Sequence, residues 1–275
     1  MWVWVLFIAL GHKIRETLIL FVNLQLLIHR FNHWYKQMNK VLHTAQDRGL
    51  VRFGWLEARY SFSFGNYFNP NKMNFGALRV LNDDTIAPAM GFGKHPHKNM
   101  EIITIVQSGA LKHEDSMGNQ GVIKAGDIQV MSAGSGIEHS EVNASSHQSL
   151  KLFQLWIHTQ TQNVTPRYEQ KKIAPLLTKN GFTTIVKPKQ EAILDDIWIH
   201  QQAYISIGDF SEPTQTNYTL QQAQNGIYIM VVEGSVAVLK QHINHRDAMW
   251  VWDKTVGDKS NEKNRKVLIV EVSRI

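Results

Sequence analysis

Two pairs of residues stand out by type and spacing. His95-Pro96-His97 lies near the start of a stretch running from Gly91 to Glu141, and His139-Ser140-Glu141 closes it. On a β-strand, residues i and i+2 point to the same face. His95 and His97 can therefore converge on one point, and so can His139 and Glu141. Between the pairs lie apolar, β-branched runs broken by glycines: Glu101-Ile102-Ile103-Thr104-Ile105-Val106, Gly118 to Gly121, Ala125-Gly126-Asp127 and Ile128-Gln129-Val130-Met131. If these strands fold back antiparallel, the pairs meet inside a barrel, where three imidazoles and one carboxylate would surround a divalent metal. Neutral imidazole suits Fe, Ni, Cu and Zn, and a single carboxylate keeps the set from being purely soft. The chain has no cysteine, which excludes a thiolate zinc or iron–sulfur site. A single histidine in a strand is more often a satisfied polar residue than a ligand. Two such pairs, each in a glycine-punctuated strand region, favour the metal.

The elements that must position these residues read as β-structure. From Met38 onward, aromatic and apolar runs alternate with turn formers: Gly54-Trp55-Leu56, Tyr60-Ser61-Phe62-Ser63-Phe64-Gly65, and Ala77-Leu78-Arg79-Val80-Leu81 followed by Asn82-Asp83-Asp84. Leu152-Phe153-Gln154-Leu155-Trp156-Ile157 alternates like a sheet with one face packed inward. Many short strands without a helical period predict an all-β jelly roll or small barrel. Gln160 to Pro166 is polar and proline-ended, which marks a linker. Strand-like runs then resume, including Gly226 to Val232 and Val267 to Val272. Val232-Glu233-Gly234-Ser235-Val236 repeats the look of Val106-Gln107-Ser108-Gly109-Ala110, which suggests an internal duplication. The second half has no His-x-His or His-x-Glu pair. His242 and His245 flank an apparent loop and are read as surface residues, so this half is expected to be a metal-free copy.

The 275 residues can bury a sizeable core, and 19% charged with 43% hydrophobic residues describes an ordinary globular chain. The absence of cysteine is compatible with a reducing cytoplasm. Residues 1–37 differ from the rest. Lys13, Arg15, Arg30 and Lys36 against Glu16 give them +3, half of the formal +6. No basic stripe interleaved with aromatics is present, so direct nucleic-acid binding is not indicated. Their two apolar runs fall short of the ~20 residues of a spanning helix, and signal-peptide features are missing. A membrane-associated helix is one reading; a start of translation at Met38 is the plainer one. The domains expected are an extension at 1–37, a metal-binding barrel at 38–165 and a metal-free barrel at 166–275.

At these residues the chain resembles the pirin family, bicupins of the cupin superfamily, and especially its bacterial quercetinase-like members. The resemblance rests on Tyr60 to Pro70, Gly91-Phe92-Gly93-Lys94-His95-Pro96-His97, Glu114 to Asn119, Met131-Ser132-Ala133-Gly134-Ser135-Gly136, His139-Ser140-Glu141, and Thr165 to Gln170. It covers most of Met38 to Arg274, more strongly in the first half. It implies two tandem cupin barrels and a single metal ion, normally Fe(II), held by His95, His97, His139 and Glu141. Mn, Co, Ni, Cu or Zn would also suit such donors. Glu101 is expected to orient a ligand imidazole or handle a proton, with a purely structural hydrogen-bonding role as the alternative. His113 is read as bordering the pocket mouth or lying on the surface.

The resemblance also implies an activity: oxidative cleavage of a flavonol such as quercetin by O2, with release of CO. Glu141 or Glu101 would take the substrate's hydroxyl proton. The expected partners are thus an aromatic small molecule and O2, in the cytoplasm. A second reading from the same family is a metal-dependent module that reports iron oxidation state to a protein partner. A third is a cupin isomerase or storage protein without oxygen chemistry.

Overall fold

The computed structural model describes residues 40–252, 256–260 and 263–274. The extension expected at 1–37 lies outside the described residues. In the first half the strands are β1 (Lys40–His43), β2 (Gly49–Arg52), β3 (Leu56–Tyr60), β4 (Leu78–Ile86), β5 (Gly91–His97), β6 (Met100–Ser108), β7 (Ala110–Asp115), β8 (Gln120–Lys124), β9 (Asp127–Ser132), β10 (Ile137–Asn143) and β11 (Leu150–His158). They are followed by β12 (Arg167–Lys172), β13 (Gly181–Pro188), β14 (Trp198–Ile199), β15 (Ala203–Phe210), β16 (Thr214–Tyr218), β17 (Gly226–Glu233), β18 (Val236–Val238), β19 (Gln241–Ile243), β20 (Ala248–Trp252), β21 (Val256–Ser260) and β22 (Arg265–Val272). No helix among the described residues is long and apolar enough to cross a membrane.

The first barrel has a large sheet in the order β12-β9-β6-β11-β4-β3-β2 and a small sheet in the order β5-β10-β7-β8. The second repeats the plan, with β20-β17-β22-β15-β13-β14 in its large sheet and β16-β21-β18-β19 in its small one. Alternation explains why the central strands are apolar on both faces. On β6, Ile103 and Ile105 join a core with Tyr228, Met230 and Leu268 of the second barrel, which packs the two large sheets back to back. Ile102 and Val106, one residue out of step, point instead into the first barrel. Likewise Ile227, Ile229 and Val231 of β17 fill the second barrel while Tyr228 and Met230 face the seam. Burial on both faces requires such continuous apolar runs.

The internal duplication noted in the sequence has a structural counterpart. Gly109 turns the chain from β6 into β7, and Gly234 turns it from β17 into β18, at φ of 82° and 74°. Each carries the chain from a large sheet to a small one, and the left-handed backbone favours glycine at both positions. The expected boundary at 165/166 falls before β12, yet β12 does not join the second barrel. It pairs antiparallel with β9, from Arg167↔Ser132 to Lys172↔Asp127. The polar, proline-ended segment marks a loop, whereas the strand after it completes the edge of the first sheet.

Candidate metal centre

The site is built on β5 and β10 of the small sheet, which pair with His139 directly opposite His95. Beyond that point a bulge shifts the register, so Glu141 lies opposite Phe92. The extra residue is on β5, where three residue steps from Phe92 to His95 span two on β10, and bulges re-aim the side chains of the bulged strand. The strands approach so closely at Gly91 that a Cβ there would sit 2.2 Å from the Glu141 carbonyl oxygen. Across this ladder the imidazoles of His95, His97 and His139 converge, with ring centroids 4.4 to 4.9 Å apart. Each offers a ring nitrogen within 4.8 Å of the others. A second cluster, His113, His139 and Glu141, meets the same limit and shares His139.

The hydrogen bonds around these rings fix what they can offer. His95 Nδ1 lies 2.7 Å from the Gly93 carbonyl oxygen, to which it donates, so Nε2 is the nitrogen left to face a metal. His97 Nε2 and both nitrogens of His139 are buried without a hydrogen-bond partner. Burial, reinforced by the His139 and His95 imidazoles, pushes the pKa of His97 down to about 4. Burial, with His95 and His113 nearby, pushes His139 down to about 3. Both rings are therefore neutral at physiological pH, the form that binds a metal. Glu141 is 2% exposed. Its Oε1 accepts from Thr104 Oγ1 at 3.2 Å and Gln129 Nε2 at 3.5 Å, and its Oε2 from Gln154 Nε2 at 3.0 Å. Buried, unpartnered imidazole nitrogens beside a hydrogen-bonded carboxylate, with no thiol in the chain, fit a divalent cation.

The structure does not bring Glu101 to this cluster. Thr104 on β6 points at Glu141, and Glu101, three residues earlier, occupies the opposite face. There its Oε2 accepts from Ser132 Oγ at 2.6 Å. Burial raises its pKa, opposed by the Ser132 hydrogen bond and more weakly by the Arg167 charge. Its surroundings are the seam between the barrels, not the imidazoles. His113 is fully buried, against the surface reading. Its ring stacks on Tyr168 at 4.7 Å and stands 5.4 Å from His139. His242 and His245 are exposed as expected, and among the described residues both ligand clusters belong to the first barrel.

Three residues around the site escaped the sequence reading: Thr104, Gln129 and Gln154. Each is a polar side chain in a strand whose neighbours are buried apolar residues, and that interruption was the available signal. They come from β6, β9 and β11, adjacent strands of the large sheet. Ligands thus come from the small sheet and the donors that hold Glu141 from the large one. The site opens through a cleft of about 570 Å³ lined by Pro96, His97, Lys98, Ser116, Ile137 and Glu138, among others.

The chain is similar to known proteins along most of its length. Residues 42–157 match the family model described as Pirin, and residues 185–272 match the one described as Quercetinase C-terminal cupin domain. The chain is 37% identical over 231 residues to the quercetin 2,3-dioxygenase of Escherichia coli K12, covering 84% of this chain and 97% of that protein. It is 39% identical over 203 residues to a pirin-like protein of Caulobacter vibrioides, covering 74% of this chain and 86% of the relative. Among solved structures it is similar to the bacterial pirin YhhW of Escherichia coli in complex with nickel(II). That match has a TM-score of 0.79 at 35% identity, over 86% of this chain and 100% of the other.

Proposed function

The chain belongs to the pirin family, and from that premise and the site geometry we propose that it is a metal-dependent dioxygenase that cleaves a flavonol of the quercetin type with O2 and releases CO. The observation that carries this reading is the buried set of unpartnered nitrogens on His97 and His139, beside the carboxylate of Glu141 and open to a cleft. His95, His97, His139 and Glu141 would hold the ion, Fe(II) being the species this reading favours. When bound, a divalent cation supplies Lewis acidity that lowers the pKa of a coordinated hydroxyl.

The remaining work falls to the chain's own side chains. In this reading Glu141 takes the proton of the flavonol's 3-hydroxyl, a choice supported by Glu101 lying on the other face of β6. Thr104, Gln129 and Gln154 keep its carboxylate oriented through that transfer. Pro96 and Ile137 give the cleft an apolar wall for an aromatic ring, and Lys98, Ser116 and Glu138 place polar groups where ring hydroxyls need partners. Lys94 and Glu138 form an ion pair at 3.0 Å on the exposed rim, which bounds the entry. Dioxygen supplies both oxygen atoms added to the product while one ring carbon leaves as CO, so no external reductant is consumed.

The test is oxygen uptake with quercetin by the full chain loaded anaerobically with Fe(II), beside His139→Ala. Uptake matched by quercetin loss and CO, and absent from the folded variant, is expected. Metal binding without any uptake would overturn the dioxygenase reading and favour a metal-dependent binding module instead.

A further inference from the structure

Gln154 reaches the centre with a side chain whose two ends have opposite polarity, so its orientation matters. Its Nε2 stands 3.0 Å from Glu141 Oε2 and 3.2 Å from Thr104 Oγ1. Its Oε1, at the other end, accepts from Trp156 Nε1 at 3.1 Å. An indole N–H can only donate. It therefore holds the acceptor end of the amide and turns both amide hydrogens toward Thr104 and Glu141. Flipped, the amide would set its carbonyl oxygen against a buried carboxylate and its NH2 against the indole N–H.

Trp156 is itself held in place. Phe64 packs edge-on against it at 5.1 Å and 88°, and His97 at 4.8 Å and 82°. Gln154 and Trp156 are two apart on β11 and so share a face. The chain of contacts runs from Trp156 on the large sheet, through Gln154, to Glu141 on β10 of the small sheet.

We propose that Trp156 is a positioning residue for the metal centre, acting through Gln154: it fixes the polarity of the amide that faces Glu141, and so holds that side chain in one orientation. The proposal rests on reading His95, His97, His139 and Glu141 as the ligands. Groups of this kind beyond the ligands themselves typically cost 10–100-fold in metal affinity when removed.

The experiment measures the Ni(II) dissociation constant by chelator competition, and the visible spectrum of the Co(II) form, on the full chain. The variants are Trp156→Phe, Gln154→Met and the double substitution. Each single variant is expected to bind Ni(II) about 10- to 100-fold more weakly and to shift the Co(II) bands. The double variant is expected to lie within about twofold of Gln154→Met, because phenylalanine keeps a ring against His97 and the lost indole N–H acts only through the amide. Affinity of Trp156→Phe within twofold of the parent, or losses that multiply in the double variant, would overturn the proposal. If Trp156→Phe does not fold, Gln154→Glu decides, since it keeps an acceptor for the indole but removes the donor. An affinity unchanged there is the contrary result. A parent that takes up no Ni(II) would overturn the metal reading itself, an outcome distinct from failure of the positioning role alone.

Discussion

Lowering the pH from 7 to 5 should cost this centre little metal affinity through His97 and His139, because the fold already keeps these two imidazoles neutral. His97 and His139 have pKa values pushed down to about 4 and about 3, in both cases chiefly by burial. At pH 5 they would be about a tenth and a hundredth protonated, which weakens binding less than twofold through these two rings. Rings at the ordinary value of 6.5 would be roughly 97% protonated at pH 5. Each would then cost about 30-fold in affinity, or about a thousandfold together. The sign for folding is the reverse side of the same effect. A depressed folded pKa gives stability that is fully present above about pH 6.5 and lost as pH falls toward 4 and 3. The assay is Ni(II) competition titration of the folded full chain at pH 7 and pH 5, against a chelator whose own protonation is corrected. A fall of about a hundredfold or more would refute the claim that burial locks these ligands in their neutral form.

Other consequences can be checked separately. Glu101→Gln should leave Ni(II) affinity within about twofold of the parent, whereas Thr104→Val, which removes a donor to Glu141, should weaken it by about tenfold; the opposite ranking in the same titration would place Glu101 at the centre. Gly91→Ala puts a Cβ 2.2 Å from the Glu141 carbonyl oxygen; it should lower stability by about 3 kcal/mol in urea unfolding and loosen metal binding as β5 shifts, and parental stability would contradict that close approach. His43 is 2% exposed, its Nδ1 lies 3.1 Å from the Tyr228 hydroxyl, and burial, with Lys72 and Arg48 nearby, pushes its pKa down to about 3. Between pH 7 and pH 5 the parent should lose about 2 kcal/mol more unfolding free energy than His43→Phe, and equal slopes would show that His43 is not held neutral.

Much of the site was legible because its information is local. The i, i+2 spacing of His95 with His97, and of His139 with Glu141, needs only strand geometry, and the glycine turns between them announced the strands. Information that depends on which face turns inward was harder to read. Glu101 and Thr104 lie in one apolar run, and only packing against the second barrel decides that Ile103 and Ile105, with Glu101, face the seam. His113 precedes the turn at Glu114-Asp115-Ser116, which suggested the pocket mouth or the surface, yet it shares a strand face with buried Leu111 and turns inward. The allegiance of β12 was not legible, because pairing with β9 is a contact between segments about 40 residues apart. Gln129 and Gln154 showed as polar interruptions, but their shared target on Glu141 emerges only when β9, β6 and β11 lie side by side.

The central claim is that this centre adds both atoms of O2 to a flavonol. The most direct measurement is a turnover of quercetin under ¹⁸O2 by the Fe(II)-loaded full chain, with mass analysis of the organic product and quantitation of CO. The account predicts two labelled oxygen atoms in the product and one CO for each quercetin lost. Label incorporated from water instead, or quercetin lost without CO, would contradict it.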